Sequence, residues 1–248
     1  MAIDLACALD PVLFARRLGF DPDPWQAEVL RSTAKRIILC CARQTGKSTV
    51  AAILALHTAV YRPGSLVLLL SPSLRQSSEL FRKVADFYRR LGNETPPPEA
   101  WSALRLELAN GSRIVSLPGK ESTIRGFSGV KLLVVDEAAR VPDALYSAVR
   151  PMLAVSEGRL VLMSTPFGKS GFFYETWVNG GPEWLRIQVD AYQCPRISKA
   201  FLEEELRALG DLAFRQEYLC EFVDVPSAFL SPDLVDSVVT EEEAVWSL

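Results

Sequence analysis

The sequence predicts an α/β fold built on a mostly parallel, doubly wound sheet, and three observations predict it. Short apolar runs of strand length alternate with helical stretches along most of the chain. One run, Ile37-Ile38-Leu39-Cys40, leads through Cys41-Ala42-Arg43-Gln44-Thr45-Gly46-Lys47-Ser48 into a helical stretch. Another, Leu132-Leu133-Val134-Val135, ends abruptly in Asp136-Glu137. Uninterrupted apolar runs of this kind suit strands covered on both faces. At 248 residues, 49% of them hydrophobic, the chain can bury one sizeable core.

In chain order, residues 11–18 read as a short helix stopped by Gly19. Asp23-Pro24 offers an N-cap followed by proline at the first helical position, opening a helix to about residue 34. Residues 36–41 form a strand and 47–61 a helix, broken by Arg62-Pro63-Gly64. A second buried strand spans 66–70, and 73–91 make a long amphipathic helix closed by Gly92. Pro96-Pro97-Pro98 marks a stiff loop. The alternating run Leu104-Arg105-Leu106-Glu107-Leu108, the pair Asn110-Gly111 and residues 112–117 then predict a β-hairpin insertion. A strand over 131–135, a helix over 142–153 and a fourth buried strand at Leu160-Val161-Leu162-Met163 follow. A helix near 170–178, a strand near 184–189 and helices near 198–220 complete the domain, taken as residues 1–225. Residues 226–248 read as an acidic linker or tail.

Gly46-Lys47-Ser48 sits where a Walker A phosphate loop must sit, between a buried strand and a helix. Backbone N–H groups of such a turn and the positive end of the next helix cradle phosphate oxygens. Lys47 would bridge the outer phosphates and the Ser48 hydroxyl would hold Mg²⁺. Asp136-Glu137 at a strand end has the Walker B form: Asp136 would join the Mg²⁺ shell and Glu137 would polarise the attacking water. Together the two motifs specify a P-loop NTPase of the RecA-like (ASCE) class. One feature departs from the usual pattern, because the first loop glycine is replaced by Cys41 and an arginine, Arg43, stands in the loop.

Composition narrows the rest. No apolar run reaches the length of a transmembrane helix, and the N-terminus lacks a basic-then-apolar leader. The five cysteines show no C-x-x-C spacing and His57 is the only histidine, a pattern that argues against a zinc site and suits reduced thiols. Cys40 and Cys41, neighbours on a strand, should point to opposite faces and pack. His57 reads as a helix-face residue rather than a catalytic base. Net charge is −3, but residues 217–248 hold eight acids and no Lys or Arg, leaving 22 acidic and 27 basic residues in 1–216. The body is thus mildly basic. Arg82, Lys83, Arg89 and Arg90 gather on one helix, where a solvated face is the default reading.

Taken in order, Pro24-Trp25-Gln26, Arg43-Gln44-Thr45-Gly46-Lys47-Ser48, Val135-Asp136-Glu137-Ala138-Ala139 and Ser164-Thr165-Pro166 resemble the ATPase domain of the large terminase subunit. That family packages DNA into the procapsids of tailed phages. The likeness covers roughly residues 20–225, and a missing first loop glycine is usual for it. The resemblance implies ATP and Mg²⁺ as cofactors. It implies that Gln26 reads the adenine edge, with Trp25 flanking the base or simply packing. Arg43, Gln44, Thr45, Gly46, Lys47, Ser48 and Thr49 would contact the nucleotide, Arg43 either sensing phosphate charge or forming a structural salt bridge. Ser164 and Thr165 would couple hydrolysis to movement, on a strand lying between the Walker A and Walker B strands, or merely cap. A neighbouring subunit would supply an arginine finger, for which Arg125, before the Walker B strand, is the candidate and Arg140 and Arg150 are rivals.

By the same resemblance the partners would be double-stranded DNA, further copies in a ring (pentameric by analogy, the isolated domain being monomeric), the portal protein and the small terminase subunit. No membrane is implied, and the place of action would be the host cytoplasm at the procapsid portal. Large terminases usually carry a second domain of RNase H type with clustered aspartates. Nothing here supplies it, so the chain is expected to be a natural truncation or an ATPase-domain piece, without DNA cleavage. Two other readings stay open. Asp136-Glu137-Ala138 and Ser164-Thr165-Pro166 also echo helicase motifs, and a nucleotide-gated assembly module would bind ATP without hydrolysing it.

Overall fold

The computed structural model describes residues 2–92, 95–119 and 126–224. Nine α-helices and eight strands are described: α1 (Ala2–Leu9), α2 (Pro11–Arg17), α3 (Pro24–Arg31), β1 (Arg36–Cys41), α4 (Lys47–Tyr61), β2 (Leu66–Ser71), α5 (Leu74–Leu91), β3 (Pro98–Trp101), β4 (Arg105–Leu108), β5 (Arg113–Pro118), β6 (Val130–Asp136), α6 (Asp143–Val149), β7 (Arg159–Ser164), α7 (Gly171–Asn179), β8 (Trp184–Val189), α8 (Lys199–Leu209) and α9 (Asp211–Tyr218). Among these residues no helix is long and apolar enough to cross a membrane.

The strands form one sheet in the order β3-β4-β5-β2-β6-β7-β1-β8. From β5 to β8 every pairing is parallel, and only β3-β4 and β4-β5 are antiparallel. The fold is therefore the expected mostly parallel P-loop architecture. β7, which carries Ser164, lies between β1 and β6, the position expected for it. All three run the same way, so their C-terminal ends open on one rim, where ligands of open α/β sheets bind.

Alternation along each strand builds two cores. Ile37, Leu39 and Cys41 face helices α2 to α5, together with Val67, Leu69, Val134, Val161 and Met163. Ile38 and Cys40 face the other layer with Leu68, Leu133, Val135 and Leu162. Cys40 and Cys41 thus point to opposite faces and are buried, as their adjacency on a strand requires.

Several boundaries differ from the sequence expectation. The helix expected to reach residue 34 ends at Arg31, because Ser32 leaves the helical region with its hydroxyl accepting from Ala34 N. The stiff loop after Pro96 becomes the edge strand β3, where proline's missing donor faces no partner strand. The helix expected over 142–153 is α-helical only to Val149 and then tightens to a 3₁₀ turn at Arg150–Leu153, where Pro151 lacks an N–H. The hairpin forms with Gly111 at φ 79°, and Asn110 Nδ2 donates to Ala59 O (2.8 Å). β5 also pairs with β2, so the hairpin extends the main sheet. Helix α1 had no sequence forecast.

Candidate functional site

The loop after β1 is fixed from behind. Cys41 is still in register with Val189 of β8, an extended and buried position that has no need of glycine. The turn proper uses Gln44 at φ 62° and Gly46 at φ 94°, and the Thr45 hydroxyl closes it by donating to Ala42 O (2.9 Å). The Thr45 carbonyl accepts from Gln26 Nε2 (3.0 Å) and from Arg196 Nη2 (3.2 Å). Gln26 is itself held, its Oε1 accepting from Asp23 N (2.8 Å), and Arg196 grips the Asp23 carboxylate in a fork at 3.0 and 2.7 Å. This bracing leaves the N-terminus of α4 and its N–H groups aimed at the rim.

Glu137 is the convergence point of the site. Its backbone is left-handed (φ 48°, ψ 43°), a conformation disfavoured for a side chain with a Cβ and often found where geometry serves function. Its carboxylate meets Lys47 Nζ at 3.3 Å, Arg140 Nη1 at 3.3 Å and Ser164 Oγ at 3.4 Å. Arg140 also donates to Thr165 Oγ1 (3.1 Å) and to Glu217 Oε1 (3.2 Å), and lies over the Phe167 ring. Glu217, from α9, holds Arg43 Nε on its other oxygen at 2.5 Å. Charges therefore alternate from Lys47 through Glu137, Arg140 and Glu217 to Arg43. Beneath them Asp136 is buried at the end of β6, with Oδ1 accepting from Glu137 N (3.0 Å). Burial, then the neighbouring Glu137 charge, pushes the Asp136 carboxyl up to about 6.

A cleft of about 890 Å³ opens over this cluster. Gln26, Arg43, Gln44, Gly46, Lys47, Ser48, Thr49 and Glu137 line it, all residues expected from the sequence. Thr45 is buried behind the loop, and Asp136 lies below the floor. Trp25 does not line the cleft; it packs against the α2–α5 core with its Nε1 buried and without a partner. Ser164 and Thr165 reach the cleft through Glu137 and Arg140. Arg125 lies outside the described residues. Arg140, a rival for the finger, is engaged within its own chain, and Arg150 sits over the Tyr146 ring. The wall residues Lys83, Gln76 and Arg196 and the latch Glu217 were not anticipated. Lys83 had a signal, as part of the basic helix; Arg196 and Glu217 lie 149 and 170 positions beyond Lys47, in stretches without any motif.

Oxygen donors suited to Mg²⁺ are present. A serine hydroxyl at Ser48 and the buried carboxylate of Asp136 are hard ligands, and among the described residues Asp136 has no cation in ion-pair contact. A divalent ion held by few protein ligands plus phosphate oxygens fits such a set, and among the described residues no group of three or more His, Cys, Asp or Glu forms a dedicated cage.

Residues 38–239 match the family model described as Terminase large subunit, T4likevirus-type, N-terminal. The large terminase subunit of Thermus virus P23-45 is 30% identical over 254 residues, covering 88% of this chain and 52% of that protein. The chain thus spans about half the length of the curated relatives it matches. Among solved structures, the large terminase ATPase domain of Thermus phage P74-26 superposes with a TM-score of 0.76 at 28% identity, covering 85% of this chain and 97% of that one. The large terminase of a thermophilic bacteriophage, solved in complex with ADP, shares the fold with a TM-score of 0.60 at 14% identity over 87% of this chain and 52% of that one.

Proposed function

The chain belongs to the terminase large-subunit family, and on that premise we propose that it is an Mg²⁺-dependent ATPase motor domain driving double-stranded DNA into procapsids. The observation that carries the reading is Glu137, within 3.4 Å of Lys47, Arg140 and Ser164 at the floor of a cleft bounded by the phosphate loop. A binding-only module has no use for a carboxylate placed there. The ADP complex of the thermophilic-phage large terminase adds support, as a nucleotide on the same fold.

In the proposed reaction Lys47 and the α4 N-terminus bind the outer phosphates, and Arg43 reaches phosphate after leaving Glu217. Lys47 now neutralises Glu137; a γ-phosphate would compete for that ammonium and free the carboxylate. Glu137 then accepts the proton of a water whose oxygen bonds to the γ-phosphorus as the bond to the β-phosphate oxygen breaks. Mg²⁺, held by Ser48 and Asp136, would supply neutralisation of phosphate charge. Arg140 reports the change from Glu137 to Thr165 and Glu217. Gln26 braces the loop through Thr45, and reading the adenine edge would use the second N–H and lone pair of its amide.

We further propose assembly into a ring, pentameric by analogy, in which Arg125 acts in the neighbour's site and can accelerate turnover by about 10³–10⁵. The portal protein, the small terminase subunit and the host cytoplasm complete the setting. The test is steady-state ATP hydrolysis against protein concentration for wild type, Glu137→Ala and Arg125→Ala. Turnover that rises with concentration and is abolished by either change supports the reading. Turnover flat with concentration and indifferent to Arg125 removes the ring, and no turnover with intact nucleotide binding leaves the assembly module.

A further inference from the structure

At the opposite end of β6 and β7 from the phosphate loop, a cavity of about 180 Å³ is lined by Arg31, Arg62, Lys131 and Arg159, with Ser32 and Thr33 beside them. Arg159 opens β7, Lys131 is near the start of β6, Arg31 ends α3, and Arg62 follows α4. Among the described residues no carboxylate lines this cavity. Four cations therefore converge on a small surface cavity, with Arg31, Arg62 and Lys131 exposed and Arg159 half-buried.

They are unequally partnered. Arg31 is held by Asp10 through a fork at 3.0 and 2.6 Å. Lys131 Nζ only reaches Ser156 O at 3.4 Å. Arg159 donates Nη2 to Val29 O (3.2 Å) in the last turn of α3, while its Nε is buried with no partner. The Arg62 guanidinium makes no hydrogen bond or ion pair among the described residues. Burial, and then the Arg62 charge, bring Arg159 down to about 10.

A helix-capping role for Arg159 accounts for one of its five N–H groups and leaves the rest. The half-buried Arg159 guanidinium and the exposed Arg62 guanidinium beside it repel each other, and the buried Arg159 Nε without an acceptor is unfavourable. An anion between them removes both penalties. The Ser32 hydroxyl accepts from Ala34 N (3.1 Å) and keeps its own proton for an incoming acceptor. Guanidinium forks match the paired oxygens of a tetrahedral oxyanion, and several cations in one place favour more than one negative charge. The volume admits a single such group and excludes a nucleoside.

We propose that this cavity binds a phosphate group between Arg159 and Arg62. The group is either free phosphate or a backbone phosphate of nucleic acid. The proposal is independent of the chemistry at the phosphate loop. β6 and β7 join the two places, the first strand ending at Asp136 and the second at Ser164, about 20 Å away at the rise of a strand.

The experiment uses the full chain carrying Lys47→Ala, so that the phosphate loop is silenced. Its melting temperature is followed against sodium phosphate, with sodium chloride at matched ionic strength as control. The expected result is a saturable rise with phosphate and none with chloride, the half-saturating concentration increasing about tenfold or more on adding Arg62→Gln, which removes one charge-assisted contact. Arg62 is chosen because its guanidinium makes no hydrogen bond or ion pair among the described residues; Arg159→Lys is the second variant. Fluorescence anisotropy of a short DNA duplex forms the other arm. Duplex binding weakened by Arg62→Gln and competed by phosphate identifies the backbone as source, whereas duplex binding indifferent to Arg62, with the phosphate effect intact, identifies the free anion. Phosphate stabilisation equal to that of chloride, or unchanged by Arg62→Gln and Arg159→Lys, overturns the proposal.

Discussion

Glu217 holds Arg43 twice: its Oε2 lies 2.5 Å from Arg43 Nε, and its backbone carbonyl accepts from Arg43 N at 3.2 Å. The last described helix is thereby tied to the phosphate loop, and the same carboxylate grips Arg140. The bond to Nε restrains how far the Arg43 guanidinium can turn toward phosphate. The Arg43 side chain is 58% exposed, so the pair is worth no more than about 1 kcal/mol. Glu217→Gln should therefore tighten ATP binding by up to about fivefold with little change in melting temperature. Calorimetric titration with ATP checks it; unchanged or weaker affinity would assign Arg43 a purely structural salt bridge.

Glu137 tests the chemistry itself. Replacing it with glutamine keeps the shape and removes the base, so hydrolysis should fall by about 10²–10⁴-fold. Nucleotide binding should persist, because Lys47 is released from its 3.3 Å contact and remains available to phosphate. Single-turnover hydrolysis beside a binding titration separates the two. Retained turnover would mean that another group activates the water.

Arg140 and Arg125 should behave oppositely in mixtures. Arg140 binds Glu137, Thr165 and Glu217 of its own chain, so Arg140→Ala should lower turnover at every protein concentration. Arg125→Ala should abolish the turnover that rises with concentration. Mixing Arg125→Ala with Glu137→Ala protein should restore some activity, since one supplies the base and the other the finger. Rescue of Arg140→Ala by the same partner would instead make Arg140 the residue acting across subunits.

Gly46 is constrained twice, by φ 94° and by Gln26 Nε2, which a Cβ there would meet at 2.8 Å. Gln26 is fully buried and bonded at both ends of its amide, so it cannot swing aside. Gly46→Ala should cost more than the roughly 1–3 kcal/mol of backbone strain alone and should abolish nucleotide binding. Gly64→Ala, at φ 70° with nothing within 4 Å, is the control that carries strain only. Equal losses of melting temperature in the two variants would show that the Gln26 contact is slack.

His57 gives the fold a pH dependence. It packs edge-on against Phe14, and Nε2 lies 3.0 Å from Cys7 O. Burial holds it below its ordinary value of 6.5, with Arg62 acting in the same direction. The unfolded chain thus binds a proton that the folded chain refuses. Stability from this residue is full above 6.5 and is lost as pH falls through the lower folded value. Chemical denaturation at pH 7.5 and 5.5 should show a drop in the wild type that is smaller in His57→Gln. An identical drop in both would place the acid sensitivity elsewhere.

The sequence by itself determined the frame of this protein. Apolar runs at Ile37, Leu66, Leu132 and Leu160 could only be doubly covered strands, and β1, β2, β6 and β7 stand there. Lys47, Ser48, Asp136 and Glu137 were legible because each is contiguous with the strand or helix that places it, so local spacing fixes their position. Tertiary structure decided what no local spacing encodes. The turn of Glu137 into the left-handed region, the latch from Glu217 to Arg43 and Arg140, and the brace from Arg196 to Asp23 and Thr45 all depend on the assembled chain. The placement of Trp25 against the core likewise came from packing, since an aromatic beside a helix start reads the same whether it faces a ligand or a core. Periodicity reports which face of an element is buried, and only the assembled sheet reports which charges that burial brings together.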